Sequence, residues 1–277
     1  MYASYYGLAE KPFALTPDPA FLYPSRRHQT GLMMLEYGLL NQAAISVITG
    51  EIGSGKTTLI RKLLSDMDKE LTVGLISNTH RSFGELLQWV LVAFGLECPS
   101  HDKAVLYKCF IDFVIDEYAK GQRTVLIVDE AQNLDPETLE ELRMLSNINA
   151  DKDLVLQLIL VGQPELRETL RQPSLVQFVQ RISVDFHLEP LSREDTHAYI
   201  AHRIGVAGGP EGLFSQTAYD EVFDFSGGVP RLINQICDTS LVYAYADSLS
   251  QVTPEIVIAV AKDKQRGGLF PVMKKAE

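Results

Sequence analysis

The stretch Gly50-Glu51-Ile52-Gly53-Ser54-Gly55-Lys56-Thr57 decides the reading of this chain, because it matches the phosphate-loop pattern GxxxxGK[ST]. It follows a short apolar run at residues 44–49 (AISVIT) and opens the helical spacing of residues 56–66. In that strand–loop–helix setting the pattern has a mechanism. Glycines let successive backbone N–H groups curl round a polyphosphate without Cβ clashes, and the helix N-terminus adds partial positive charge. Lys56 has the reach for β- and γ-phosphates, and the Thr57 hydroxyl suits Mg²⁺. Gly50, Glu51, Ile52, Gly53, Ser54, Gly55, Lys56, Thr57 and Thr58 are therefore expected to bind a nucleotide.

Outward from this loop, apolar runs at 71–77, 124–129, 154–161 and 182–188 alternate with helical spacings at 82–94 and 103–120. Asp135 is placed as an N-cap with Pro136 at the first helical position. Strands apolar on both faces that alternate with helices predict a parallel five-stranded sheet covered on both sides, an α/β class. Beyond Pro190 the strands stop, and residues 192–206, 215–225, 229–246 and 253–262 read as helices. Residues 1–190 are expected to form the α/β core, 191–264 an all-α domain and 265–277 a tail. The N-terminal stretch is rich in Pro, Phe and Tyr, with Pro12, Pro17, Pro19 and Pro24 blocking helix, so it reads as an extended strap anchored by aromatics. A helix follows at about 27–40.

The run at 124–129 ends in Asp129-Glu130. A carboxylate at the tip of a strand neighbouring a phosphate loop supports Mg²⁺, which assigns Asp129, and Glu130 is then placed to polarise the attacking water. An acidic pair after a strand also serves as a solvated turn or helix cap. Gln163 ends the next run and suits the γ-phosphate or the water; its other reading is a loop amide making turn contacts. Asn78 is a weaker candidate, as a partner restraining Glu130. Arg181 precedes the last strand and Arg231 follows Gly227-Gly228-Val229-Pro230. Taken singly, each arginine reads as a surface ion-pair residue.

Charge narrows the function classes. The 25 Lys+Arg against 36 Asp+Glu give a formal net charge of −11, which counts against a chain that coats DNA electrostatically. Hydrophobic residues at 46% exclude wholesale disorder. Cys98, Cys109 and Cys237 are dispersed, without CxxC or Cys/His spacing, so they are expected to be buried core thiols in a reducing cytoplasm. The opening MYASYYGLAEKPF has neither a basic start nor an apolar segment, so no signal peptide is expected. No apolar stretch reaches the length of a membrane span. His80, His101, His187, His197 and His202 have no ligand spacing and, like Trp89, read as surface or packing residues.

The phosphate loop, the strand ending in Asp129-Glu130, the strand ending in Gln163, Arg181 and a helical region carrying Arg231 together resemble an AAA+ ATPase. More narrowly, PFALTPDPAFLY, LIVDEAQNLDPETLEELRMLSNI, LILVGQPELRETL and FSGGVPRLINQICD resemble the general secretion pathway protein A (ExeA-type) and exosortase-associated ATPases. The resemblance runs from Tyr5 to about Asp263. It implies ATP and Mg²⁺ as ligands, Gln163 as sensor 1, Arg181 as an arginine finger acting in trans, Arg231 as sensor 2 and the C-terminal helices as a lid. A trans finger implies a homo-oligomer, a ring or part of one. Tyr23, Pro24 or His28 would cradle the adenine or simply pack the strap. Secretion-type members continue into a membrane span, and Lys274 and Lys275 would suit its cytoplasmic flank or a solvated tail. The expected function is a Mg²⁺-dependent ATPase that powers assembly of envelope secretion or export machinery. The alternative is a DNA-binding AAA+ adaptor of the transposition-regulator type, which the charge disfavours.

Overall fold

The computed structural model describes residues 1–16, 18–67, 71–77, 86–150 and 153–267. It divides into two compact units, one of Thr30–Gly50 and Ile60–Leu188, the other of Met1–Gln29, Glu51–Leu59 and Glu189–Glu277. In the first unit, β1 (Ile45–Gly50), β2 (Leu71–Ile76), β3 (Arg123–Val128), β4 (Leu156–Gly162) and β5 (Ile182–Leu188) form one sheet. Its order is β2-β3-β4-β1-β5 and every neighbouring pair is parallel. β1 and β4 are buried along their whole lengths, as strands with apolar residues on both faces must be. Edge strands β2 and β5 are only partly covered.

Register places the functional residues. Thr49 of β1 lies beside Gly162 of β4, and Val128 of β3 beside Leu160. Because the strands are parallel, Gly50, Asp129 and Gln163 therefore emerge at one edge, the carboxyl end where α/β sheets present their ligand groups.

The helices before and between the strands include α1 (Arg26–Leu40), α2 (Lys56–Asp66), α3 (Leu86–Ala93), α4 (Lys103–Ala119), α5 (Pro136–Leu145) and α6 (Pro164–Leu170). Asp135 caps α5 through the Thr138 N–H at 2.8 Å, with Pro136 at its first position. Val90, Phe110, Val114, Leu139 and Leu142 join Val47, Leu126 and Leu158 in one apolar core. Two details differ from expectation. The fourth strand starts at Leu156, because a two-residue antiparallel ladder, Asn149–Ala150 with Asp153–Leu154, takes up the residues before it. Cys98 and Cys109 are only half-buried at the core margin, so the expected burial holds for Cys237 alone. Asn78, His80, Lys274, Lys275 and the first turn expected at 82–85 lie outside the described residues.

The second unit contains α7 (Arg193–Val206), α8 (Gln216–Ser226), α9 (Pro230–Ala246) and α10 (Pro254–Arg266). Ser192 and Ser215 cap α7 and α8. The N-terminal segment, expected as a strap of the α/β core, belongs here. Tyr2, Tyr6, Leu8, Phe13 and Phe21 are buried among Ile200, Phe214, Ile233 and Leu241. Arg203 fixes it. Its guanidinium is buried, donates to the carbonyls of Pro12 and Ala14 and to the Tyr199 hydroxyl, and lies 4.7 Å from the centre of the Phe21 ring. A buried guanidinium needs its donors satisfied, and here the main chain of the KPFA stretch supplies two of the acceptors.

Candidate functional site

The phosphate loop belongs to the second unit. Its shape depends on two glycines in left-handed conformation, Gly53 at φ +81° and Gly55 at φ +102°. A Cβ on Gly53 would lie 2.3 Å from the Cβ of Arg231, and the Arg231 N–H donates to the Gly53 carbonyl at 3.1 Å. Pro230 starts α9 and Arg231 sits in its first turn, side chain exposed. The expected sensor-2 residue is thus tied to the loop through its backbone.

His28 braces the same loop. Its Nε2–H donates to the Ser54 carbonyl at 3.1 Å, which leaves Nδ1 to accept from the Ser25 hydroxyl at 2.7 Å. A Cβ on Gly55 would meet Nε2 at 3.0 Å. The ring is 5% exposed, and burial, outweighing the Ser54 carbonyl and the Asp195 charge, holds its pKa below the ordinary value. With both nitrogens committed, His28 supports the loop. Tyr23 is similarly engaged, its hydroxyl donating to Asp195 at 3.2 Å and its ring edge-on to Tyr199.

Lys56 is 9% exposed and its Nζ donates to the Glu51 carbonyl at 3.0 Å, so the cation lies across the loop it is expected to serve. Ser54 Oγ is buried and finds no hydrogen-bond partner among the described residues. Thr57 is exposed in the first turn of α2. Glycine-shaped backbone, an ammonium across it and an orphaned buried hydroxyl fit a polyphosphate with its counter-ion.

The second set of residues stands at the carboxyl edge of the sheet. The Asp129 N–H extends the ladder to the Ile76 carbonyl at 2.8 Å, and its carboxylate accepts from the Glu130 N–H at 2.9 Å. Glu130 adopts φ +53°, ψ +36°, a left-handed conformation uncommon for a residue with a Cβ and often found at functional sites. Its Oε2 accepts from Gln132 Nε2 at 2.6 Å and from Gln163 Nε2 at 3.1 Å. Gln132 Oε1 in turn accepts from the Gln163 N–H at 2.9 Å. Glu130 and Gln163 are therefore brought together, with Gln132 between them, a residue the motif reading passed over. Two amides after an acidic pair were the signal in DEAQN.

Arg181 is placed elsewhere. Its Nη1 donates to the carbonyl and hydroxyl of Ser146, the cap of α5, both at 3.4 Å. A guanidinium at a helix C-terminus is favourable in its own right. Sequence reading also misses a network around Thr49. The buried Thr49 hydroxyl accepts from Arg167 Nε at 2.8 Å and so donates to His187 Nδ1 at 2.9 Å, and Arg167 pairs with Asp185. Among the described residues no group of three His, Cys, Asp or Glu side chains has the arrangement of a metal cluster, and no helix is long and apolar enough to cross a membrane.

The chain is similar to several known proteins. A family model described as an AAA domain matches residues 40–170. Over 250 residues the chain is 42% identical to general secretion pathway protein A of Aeromonas hydrophila, covering 89% of this chain and 45% of that protein. The chain thus spans about half the length of that relative. It is 25% identical over 224 residues to Mu-like prophage FluMu DNA transposition protein B of Haemophilus influenzae, covering 78% of this chain and 71% of that one. Among solved structures, Cdc6p of Pyrobaculum aerophilum superposes with a TM-score of 0.69 at 18% identity, over 94% of this chain and 74% of that chain.

Proposed function

From the premise that this chain is an AAA+ ATPase related to general secretion pathway protein A, we propose that it binds and hydrolyses ATP with Mg²⁺ to drive assembly of envelope secretion or export machinery. Residues 50–58 hold the polyphosphate through backbone N–H groups, and Lys56 neutralises the β- and γ-phosphate oxygens. Thr57 and Asp129 supply oxygen ligands suited to Mg²⁺. Mg²⁺ held by these ligands would supply two positive charges against the negative charge of the phosphate oxygens. Glu130 takes the proton of the attacking water, Gln163 orients that water or the γ-phosphate, and Arg231 answers the charge of the γ-phosphate. The observation that supports hydrolysis over simple nucleotide storage is the Glu130 carboxylate, held by two amide donors next to the Asp129 carboxylate. Arg181 acts on the nucleotide of a neighbouring copy, in a homo-oligomer at the cytoplasmic face of the inner membrane.

The reading is tested by Glu130→Gln. ATP binding persists while turnover falls by roughly a hundredfold to ten-thousandfold, the usual span for a lost general base. Lys56→Ala loses binding as well. Unchanged turnover in Glu130→Gln removes the base. The finger is tested by mixing: Arg181→Ala and Lys56→Ala subunits, each inactive alone, regain activity together. No recovery in proven hetero-oligomers removes a trans finger.

A second reading, a DNA-binding adaptor, is supported by the likeness to a DNA transposition protein. The formal charge of −11 opposes it. ATP turnover measured with DNA across a salt titration separates the two, because phosphate-driven binding weakens steeply with salt.

A further inference from the structure

Glu130 carries a long side chain at an exposed turn, and such a side chain samples several rotamers unless something holds it. Gln163 holds it in part, yet Gln163 is the residue expected to turn toward the γ-phosphate or the water. We propose that Gln132 is the positioning residue for Glu130, a two-ended brace that ties the carboxylate to the main chain at Gln163, where β4 passes into α6. This rests on the ATPase reading and names a residue outside the phosphate-loop, acidic-pair and sensor motifs.

Three observations carry it. The amide is used at both ends, Nε2 on Glu130 Oε2 at 2.6 Å and Oε1 on the Gln163 N–H at 2.9 Å, so its orientation is fixed by the partners: a carboxylate needs a donor and an N–H an acceptor. The main-chain end is a firm anchor, since Gln163 is the N-cap of α6 and its N–H follows directly from β4. Gly162 leaves the room, because a Cβ there would come within 3.2 Å of Gln132 Oε1 and 2.8 Å of a Leu166 methyl. The glutamine also has the one length that works, as asparagine is a methylene too short to span both partners. When Gln163 releases Glu130 to serve the nucleotide, the brace remains, and the carboxylate keeps the aim that proton abstraction from water requires.

Gln132→Met tests this in the full chain, keeping side-chain length and packing while removing both hydrogen bonds. The expected result is a kcat lowered by roughly tenfold to a hundredfold, the cost of a misaimed catalytic group, with the KM for ATP and the melting temperature unchanged. Gln132→Asn should fall as far as Gln132→Met. In a Glu130→Gln background, adding Gln132→Met should cost nothing more, since the group being aimed is gone. A second measurement needs no turnover: amide hydrogen exchange at the Gln163 N–H should accelerate in Gln132→Met. A wild-type kcat in Gln132→Met, a change confined to KM, or unchanged Gln163 exchange overturns the brace. Wild-type protein that hydrolyses no ATP overturns instead the role of Glu130 as base, and the exchange rate still decides whether the brace exists.

Discussion

In the phosphate loop, Gly53 meets the main chain of Arg231 and the Ser54 carbonyl meets the His28 ring; at the end of β3, the Glu130 carboxylate meets the side-chain amides of Gln132 and Gln163. The first arrangement is a mould. Its dimensions are set by backbone, and its tolerances are fractions of an ångström around glycines. The second is a set of adjustable contacts at an exposed turn, where donors and acceptors matter more than volume. A group that must grip the same phosphates in every cycle suits the mould. A group that must be aimed at a water suits adjustable contacts.

The contrast breaks most sharply at Gly53. Gly53→Ala puts a methyl 2.3 Å from the Arg231 Cβ in a backbone conformation that disfavours L side chains. The ATP dissociation constant should rise by at least about a hundredfold, since a displaced loop forfeits several N–H contacts together. Titration with a fluorescent ATP analogue measures it, and near-normal binding would show a loop that relaxes.

The His28 brace makes a smaller, pH-dependent prediction. Its folded pKa lies below the unfolded value near 6.5, so the unfolded chain takes up the proton first as pH falls. The brace's contribution is whole above about 6.5 and is lost as pH drops toward the folded value. The unfolding free energy, read by urea titration, should fall as pH drops below about 6.5, and His28→Asn should remove that part of the dependence. Identical pH curves for the two proteins would reassign the effect to other groups.

The smallest effect is expected at Thr49. Thr49→Val deletes the hydroxyl that receives Arg167 and bonds His187, at a cost of about 1–3 kcal/mol for the partners left unmet. The urea midpoint reads this. No shift would mean that β1 launches the loop on its ladder bonds alone.

Much of this was legible in the sequence because local patterns decide it. The run AISVIT followed by GEIGSGKT fixes strand, loop and helix, and α2 spans the expected residues Lys56–Asp66. The tips at Asp129 and Gln163 follow from where parallel strands end. Partners brought together by folding were not legible. Arg203 reads as one more helix-surface arginine until Pro12, Ala14 and Phe21 close over it. His28 has no ligand spacing because its partners are a serine three residues away and a carbonyl 26 residues on. The short α6 was signalled by Pro164 at its first position, but seven residues carry too little periodicity to be read as a helix. Arg181 shows the remaining gap, since its place at the end of α5 depends on the turn of chain between them.

The way Arg203 holds residues 12 and 14 has a practical side. The opening residues act as a built-in ligand of the helical unit, contributing the buried Tyr2, Tyr6 and Phe13 to its interior. Trimming them to improve expression would hollow out a core and strand a cation in it. A fusion partner or affinity tag attached in front of Tyr2 needs a spacer long enough to leave that packing undisturbed.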